Sequence, residues 1–247
     1  MHERTLPVRF PPNRSLQHGF GCLLAILLAG CSGPTAAPFD PRSDTTPTSS
    51  TTSASLSADD AAEALVAAQN GLRSFLLRIP ETQRAAYGFA SREEIDRATL
   101  GAPYRVWTAD AVRVEQDAAA EGDRVQATRE WRFPVTVDGE YRALLTVGAV
   151  GAGPLKAVDF GAAGLAKELG RREKDRTVSP KARRVLLRLY ELRADFVAFP
   201  SAAARVEEFD FEALASARGL PQAPAGAVRL RHLLPWLKER FGAARWR

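Results

Sequence analysis

Between Arg171 and Arg184 the chain sets seven basic residues, Arg171, Arg172, Lys174, Arg176, Lys181, Arg183 and Arg184, against Glu173 and Asp175 alone. Such a run can contact anionic headgroups or an acidic partner, since each cation near an anionic surface gains about 1 kcal/mol. Its plainer reading is a solvated connecting loop. Two groups of acids, Glu93, Glu94 and Asp96, then Glu207, Glu208 and Asp210, contain the carboxylates that glycoside hydrolysis would need, one on each side of a cleft. Acids next to Arg92 and Arg97 on a surface helix are more ordinarily a solvated face. None of Ser74, Ser91, Ser179, Ser201 and Ser216 stands in Gly-x-Ser-x-Gly or Ser-x-x-Lys, the arrangements that expose and activate a nucleophile. His232 lies between Arg231 and Leu233 on a helical stretch, which suits a surface histidine better than a base. Gly148, Gly151 and Gly153 read as a turn, because a strand follows them and no Lys-Ser/Thr closes the loop. Trp236, Phe241 and Trp246 interleave with Lys238, Arg240, Arg245 and Arg247, a mixture that suits a membrane surface but packs into a core by default.

The leader carries a more specific signal. Arg4, Arg9 and Arg14 precede the apolar run Cys22-Leu23-Leu24-Ala25-Ile26-Leu27-Leu28, and small residues follow at Ala29-Gly30. A basic start, a short apolar run and a small-residue cut site make a secretory signal. The run is far shorter than the roughly 20 residues that span a bilayer. Leu28-Ala29-Gly30-Cys31 resembles the lipobox of bacterial lipoproteins. The resemblance implies removal of residues 1–30 and acylation of Cys31, usually with three chains. Two or more chains hold a protein firmly to a bilayer. Ser32 after the cysteine, rather than Asp, implies sorting to the outer membrane. The expected location is therefore the bacterial cell envelope, on the periplasmic face of the outer membrane.

That reading removes chemistry as well as residues. Cys22 leaves with the leader and Cys31 is acylated, so the exported part has neither a disulfide nor a cysteine nucleophile. His2 and His18 leave too, and His232 alone cannot build a Cys/His metal site of the usual spacing. No cofactor is expected. The net charge of +5 includes +2 from the leader, so a nucleic-acid partner is not expected. The expected partners are the membrane, through the anchor, and an envelope protein, glycan or anionic lipid.

Residues 32–57 contain seven Ser, six Thr and four Pro, too little apolar surface to offset ordering entropy, and read as a disordered linker. About 190 residues remain, enough for one domain over 58–247. Its first helix is capped by Ser57, buries Leu65, Ala68, Leu72, Phe75 and Leu76 on one stripe, and stops at Ile79-Pro80. Ser91 with Glu94 forms a capping box for a second helix reaching Leu100. Tyr104 to Trp107 is extended. Trp131, Phe133, Val135 and Val137 alternate with polar residues, as do Tyr141, Ala143, Leu145 and Val147, which predicts a hairpin with one apolar face. A three-residue loop, Val137-Asp138-Gly139, pairs Val135 with Tyr141, Phe133 with Ala143 and Trp131 with Leu145. Pro134 marks an unpaired edge or a bulge. Leu155 to Phe160 is a third strand, and Ala162 to Leu169 a helix ended by Gly170. Val185 to Phe199 is read as a strand that turns at Pro200-Ser201 into a second at Arg205 to Phe211, with the helical stripe Arg184, Arg188, Glu191 and Asp195 as the competing assignment. Helices follow at Phe211 to Arg218 and Leu230 to Phe241, the latter started or kinked by Pro235.

The expected architecture is α+β: an antiparallel sheet of four to six strands with the N- and C-terminal helices packed on one face. The expected role is a membrane-anchored binding or assembly module without enzymatic activity. The alternative is a carboxylate-based hydrolase of cell-wall glycan.

Overall fold

The alternation from Trp131 to Val147 does form a hairpin, and a sheet grows outward from both of its sides. The computed structural model describes residues 58–116, 120–149, 151 and 153–244. The expectations for the leader, Cys31, the linker, the Ser57 cap and Trp246 lie outside the described residues. In chain order the elements are α1 (Ala58–Leu77), a 3-10 turn (Glu81–Tyr87), α2 (Arg92–Asp96), β1 (Thr99–Leu100), β2 (Tyr104–Thr108), α3 (Ala111–Glu115) and a 3-10 turn (Glu121–Arg124). There follow β3 (Gln126–Val137), β4 (Glu140–Ala149), β5 (Leu155–Gly161), α4 (Ala163–Arg176), β6 (Val185–Leu189), β7 (Ala194–Ala198) and a 3-10 turn (Val206–Glu208). β8 (Asp210–Ala213), α5 (Ala215–Arg218), β9 (Ala227–Arg229) and α6 (Leu230–Ala244) complete the domain.

The fold is α+β, but the sheet is larger than expected and mixed. Nine strands run in the order β5-β4-β3-β2-β6-β7-β8-β9, with β1 beside β3. β2 and β6 are parallel, Arg105 opposite Val185 and Trp107 opposite Leu187, and the other pairings are antiparallel. A parallel pair needs a long crossover, and here everything from α3 to α4 supplies it. A hairpin-by-hairpin reading cannot anticipate such a pairing.

The central hairpin corrects the expected loop. Val137 pairs with Glu140 across a two-residue turn, in which Asp138 and Gly139 both have positive φ, 51° and 79°. That geometry matches the twist of the flanking strands. A bulge then skips Arg142, so Val135 pairs with Ala143, Phe133 with Leu145 and Trp131 with Val147. The bulge, rather than a longer loop, keeps the apolar rows on one face. Pro134 stands beside that bulge, where β1 hands over to β2 along β3, and its carbonyl accepts from the Gly101 amide at 2.7 Å.

Four helix assignments also change. Leu65 is 40 % exposed, and α1 lies on β4 and β5 through Ala61, Ala64, Ala68 and Gly71, with Leu72, Phe75 and Leu76 beyond them. A Cβ on Gly71 would fall 2.2 Å from that of Ala157, so the helix backbone sits almost on the sheet. α2 stops at Asp96 because Thr99 and Leu100 find partners on β3. α4 runs through Gly170 to Arg176. The Tyr141 ring occupies the space a side chain at 170 would need, so this glycine is a packing site rather than a stop. Phe211 and Ala213 are buried in alternation with Asp210 and Glu212, making a strand where a helix was expected, and only Ala215–Arg218 is helical.

The segment 185–199 is a hairpin, not one strand. β6 and β7 turn at Tyr190–Arg193, with Arg193 at φ 51°, and β7 reaches β8 by the longer loop through Pro200. α6 begins at Leu230 and continues through Pro235. It buries Leu230, Leu233, Leu234, Trp236, Leu237 and Phe241 with Trp107, Leu187 and Phe196. A second cluster joins α1 to Trp131, Phe133, Val135 and Leu145. A third sets Ala166 and Leu169 of α4 on Tyr104, Val106, Leu144, Leu186 and Val197.

Candidate functional site

The basic run does not form one solvated loop. Its first half is the last two turns of α4, where cations suit the negative end of the helix dipole. Arg172 and Arg176 both reach Glu212 on β8, the Arg176 Nε at 3.0 Å. Lys174 pairs with Glu140 at the hairpin turn, and Arg171, largely exposed, lies 3.9 Å from Glu168. Arg183 donates to the carbonyls of Ser201 and Ala204 and lies over the Phe209 ring at 5.0 Å. Lys181 remains exposed in the turn after Ser179. The helix thus distributes its charge to both flanks and into the loops.

Arg184 turns inward. Its Nε and Nη2 donate to the two oxygens of Glu173 at 2.8 and 3.1 Å, and the hydroxyls of Tyr104 and Tyr141 donate to Oε1. Burial pushes the Glu173 carboxyl up, but the bonds from Arg184, Tyr104 and Tyr141 outweigh it and hold the group below its ordinary value. The same burial, with the Glu173 charge beside them, raises both phenols, which stay protonated donors. This group pins the end of α4 to β2, β4 and β6.

Two clefts flank that helix. One, of about 350 Å³, is bounded by Lys167, Gly170, Arg171 and Lys174 together with Glu140 and Tyr141. The other, of about 500 Å³, lies between Arg176, the β7–β8 loop at Phe199, Pro200 and Ser201, and the pair Asp210 and Arg229. Arg229 holds Asp210 at 2.9 Å, and Glu208 accepts from the Arg205 amide at 3.3 Å. Its lining therefore carries both charge signs, Asp210 and Arg229 paired with each other, beside Phe199. Arg176, together with the loop that Arg183 anchors, is where the sequence-predicted basic residues meet this larger cleft.

The acids singled out for hydrolysis are held separately. Glu94 accepts from the Ala90 amide and from Arg142 at 2.8 Å, Asp96 faces Arg92, and Glu207 faces Arg205. Ser91 caps α2 as expected, accepting from the Glu94 amide. His232 is exposed and accepts from Arg231. Trp236 and Phe241 are core residues, and the Trp236 indole donates to the Pro221 carbonyl. Among the described residues no group of three or more His, Cys, Asp or Glu could hold a metal ion, and no helix is long and apolar enough to cross a membrane.

Sequence reasoning passed over a polar network on the sheet face that α4 leaves open. Glu130 accepts from Arg132 at 2.8 Å and from the Tyr190 hydroxyl at 3.1 Å, while Arg132 also donates to Thr146 and lies 3.9 Å from Asp159. Arg188 sits over Tyr190 and 3.8 Å from Asp195, whose other oxygen accepts from Ser216. Burial raises the Asp195 carboxyl, although Arg188 and Ser216 pull it down. The signal available was the row of polar residues at alternate positions, Arg188 and Tyr190 in β6 and its turn, which the helical stripe obscured. Comparison of the chain with protein-family models, with curated proteins and with solved structures gives no match.

Proposed function

We propose that this protein is a lipid-anchored module of the bacterial cell envelope, held by Cys31 on the periplasmic face of the outer membrane. It binds or assembles with an envelope component and performs no reaction. In this reading its first and last helices share one sheet face. Trp107, which alternates with the α4-facing Tyr104 and Val106 along β2, and Trp131, opposite Arg105 on β3, support that arrangement. α4 and its cleft then lie on the other face, away from the tethered helix.

The observation that carries the reading is the cleft of about 500 Å³ at the end of α4. Its volume falls in the range of ligand sites, and its paired charges can exchange partners with an incoming polar group. The tether is supported by Leu28-Ala29-Gly30-Cys31 and the Ser/Thr/Pro stretch behind it. A linker of 26 residues spans on the order of 30 Å root-mean-square as a flexible coil.

Two measurements test this. Cys31→Ala should move the protein from the membrane pellet to the soluble fraction, and unchanged fractionation counts against acylation. A photo-crosslinking residue at Ser201, in the cleft, should capture an envelope component that the same residue at exposed Val112 does not. Equal capture from both positions would remove the cleft from the proposal.

A further inference from the structure

We infer that the cleft at the end of α4 recognises a zwitterion, and that its ligand is a short peptide with a free amino end and a free carboxylate end. The inference rests on the proposal that this cleft is the binding site, and names the class of ligand it takes.

It starts from the polar atoms that the cleft leaves free and within reach of solvent. Arg229 and Asp210 stand opposite each other on β9 and β8, and their side chains are 46 % and 47 % exposed. Their contact joins the Arg229 Nε to one oxygen, Asp210 Oδ1, at 2.9 Å. Both terminal nitrogens of Arg229 and the other Asp210 oxygen remain for a ligand. Arg176 commits its Nε and Nη2 to Glu212 and keeps Nη1. Glu208 accepts through one oxygen from the Arg205 amide at 3.3 Å and keeps the other.

Charge selects the ligand class. Two acids and two arginines line the cleft, Glu208 and Asp210 with Arg176 and Arg229. A cation alone would be held near two guanidiniums, and an anion alone near two carboxylates. A neutral ligand would strip water from all four and return no bond between opposite charges. A molecule with an ammonium at one end and a carboxylate at the other answers both signs. Ammonium protons suit the free oxygens of Glu208 and Asp210, and the planar Arg229 fork suits a carboxylate. Beside these groups Phe199, Pro200 and Ala204 supply apolar surface for small side chains. Phe199 packs edge-on against buried Tyr104 at 6.3 Å, and Arg183 holds the carbonyls of Ser201 and Ala204, so this surface is set before a ligand arrives. A volume of about 500 Å³ has room for the backbone that joins the two charges.

Calorimetric titration of the full-length protein in detergent with trialanine tests the inference, beside N-acetyl-trialanine, trialanine amide and phosphoethanolamine. Saturable binding of trialanine is expected, weakened about tenfold by blocking either end, since each block removes one pair of opposite charges. Arg229→Gln should weaken trialanine about tenfold and remove most of its advantage over the amide, while its advantage over the acetylated form stays. Glu208→Gln should do the reverse. Equal loss of both preferences in both variants overturns the assignment of the two ends. Absence of saturable heat with trialanine at millimolar concentration overturns the inference, as does equal affinity for the three peptides. Tighter binding of phosphoethanolamine than of trialanine overturns the peptide assignment. Capture from Ser201 that persists in any of these cases leaves the cleft standing with a different ligand, whereas its loss removes the cleft itself.

Discussion

Glu173 is the residue where burial, charge and position are most closely bound together. Its side chain and that of Arg184 are 15 % and 10 % exposed, and four donors converge on two oxygens. Removing one member of such a buried pair leaves the other charge without compensation, so Glu173→Gln should cost about 3 kcal/mol in urea denaturation. Pairing it with Arg184→Met should recover part of that loss, and full additivity of the two changes would show that the pair is not coupled. The sign with pH follows from the depressed carboxyl. Its stabilisation is complete above the ordinary value of 4.5 and is lost as pH falls through the lower value of the folded state. The acid limb of the denaturation profile should therefore be shallower in Glu173→Gln. In the sequence Glu173 was merely a dissenting charge in a basic run, because nothing local announces that two tyrosines 32 and 69 positions away will meet it.

At the scale of elements, α4 shows why a glycine is a poor guide to a helix end. Gly170 does not stop the helix; it makes room for Tyr141, whose ring would lie 3.0 Å from an added Cβ. Gly170→Ala gains helix propensity but should lose about 1–3 kcal/mol net by overpacking. The displaced Tyr141 hydroxyl should also lose protection of the Glu173 contact. A rise in melting temperature would show that the ring moves freely aside. The central hairpin teaches the complementary lesson. Its apolar rows were legible from alternation, but two loop lengths satisfy one alternation if a bulge is allowed, and only cross-strand pairing decides between them. The 185–199 segment failed for a related reason: Arg188 and Asp195 repeat with a helical period and also face each other across a tight hairpin.

At the scale of the molecule, Arg105 stands where two apolar clusters meet. It lies over Trp131 of one cluster at 4.6 Å, two residues before Trp107 of the other, and 3.5 Å from Asp60 at the start of α1. Burial lowers its proton affinity, and Asp60 offsets this only in part. Asp60 is 45 % exposed, so losing Arg105 leaves it a solvated charge, while an apolar side chain at 105 avoids the desolvation of the buried guanidinium. Arg105→Met should therefore be neutral or stabilise by about 1–4 kcal/mol. A loss above about 2 kcal/mol would instead make the guanidinium a structural tie between the clusters. Hydrogen exchange of α1 in the same variant reports whether Asp60 helps to hold that helix.

The amino-acid order by itself determined the apolar rows of β3 and β4, the strands β2 and β5, the stop of α1 before Pro80 and the amphipathic C-terminal helix. Each of these depends on neighbours within a few residues, through periodicity, capping or proline geometry. It also carries Leu28-Ala29-Gly30-Cys31, whose resemblance to a lipobox is the basis of the proposed tether. Tertiary structure decided the parallel pairing of β2 with β6, the dispersal of the basic run onto Glu140, Glu173 and Glu212, and the gathering of Glu130, Arg132, Arg188 and Asp195 on one open face. Those outcomes rest on contacts between residues distant along the chain, and which of several possible partners a charge or strand finds is settled only when the whole sheet closes.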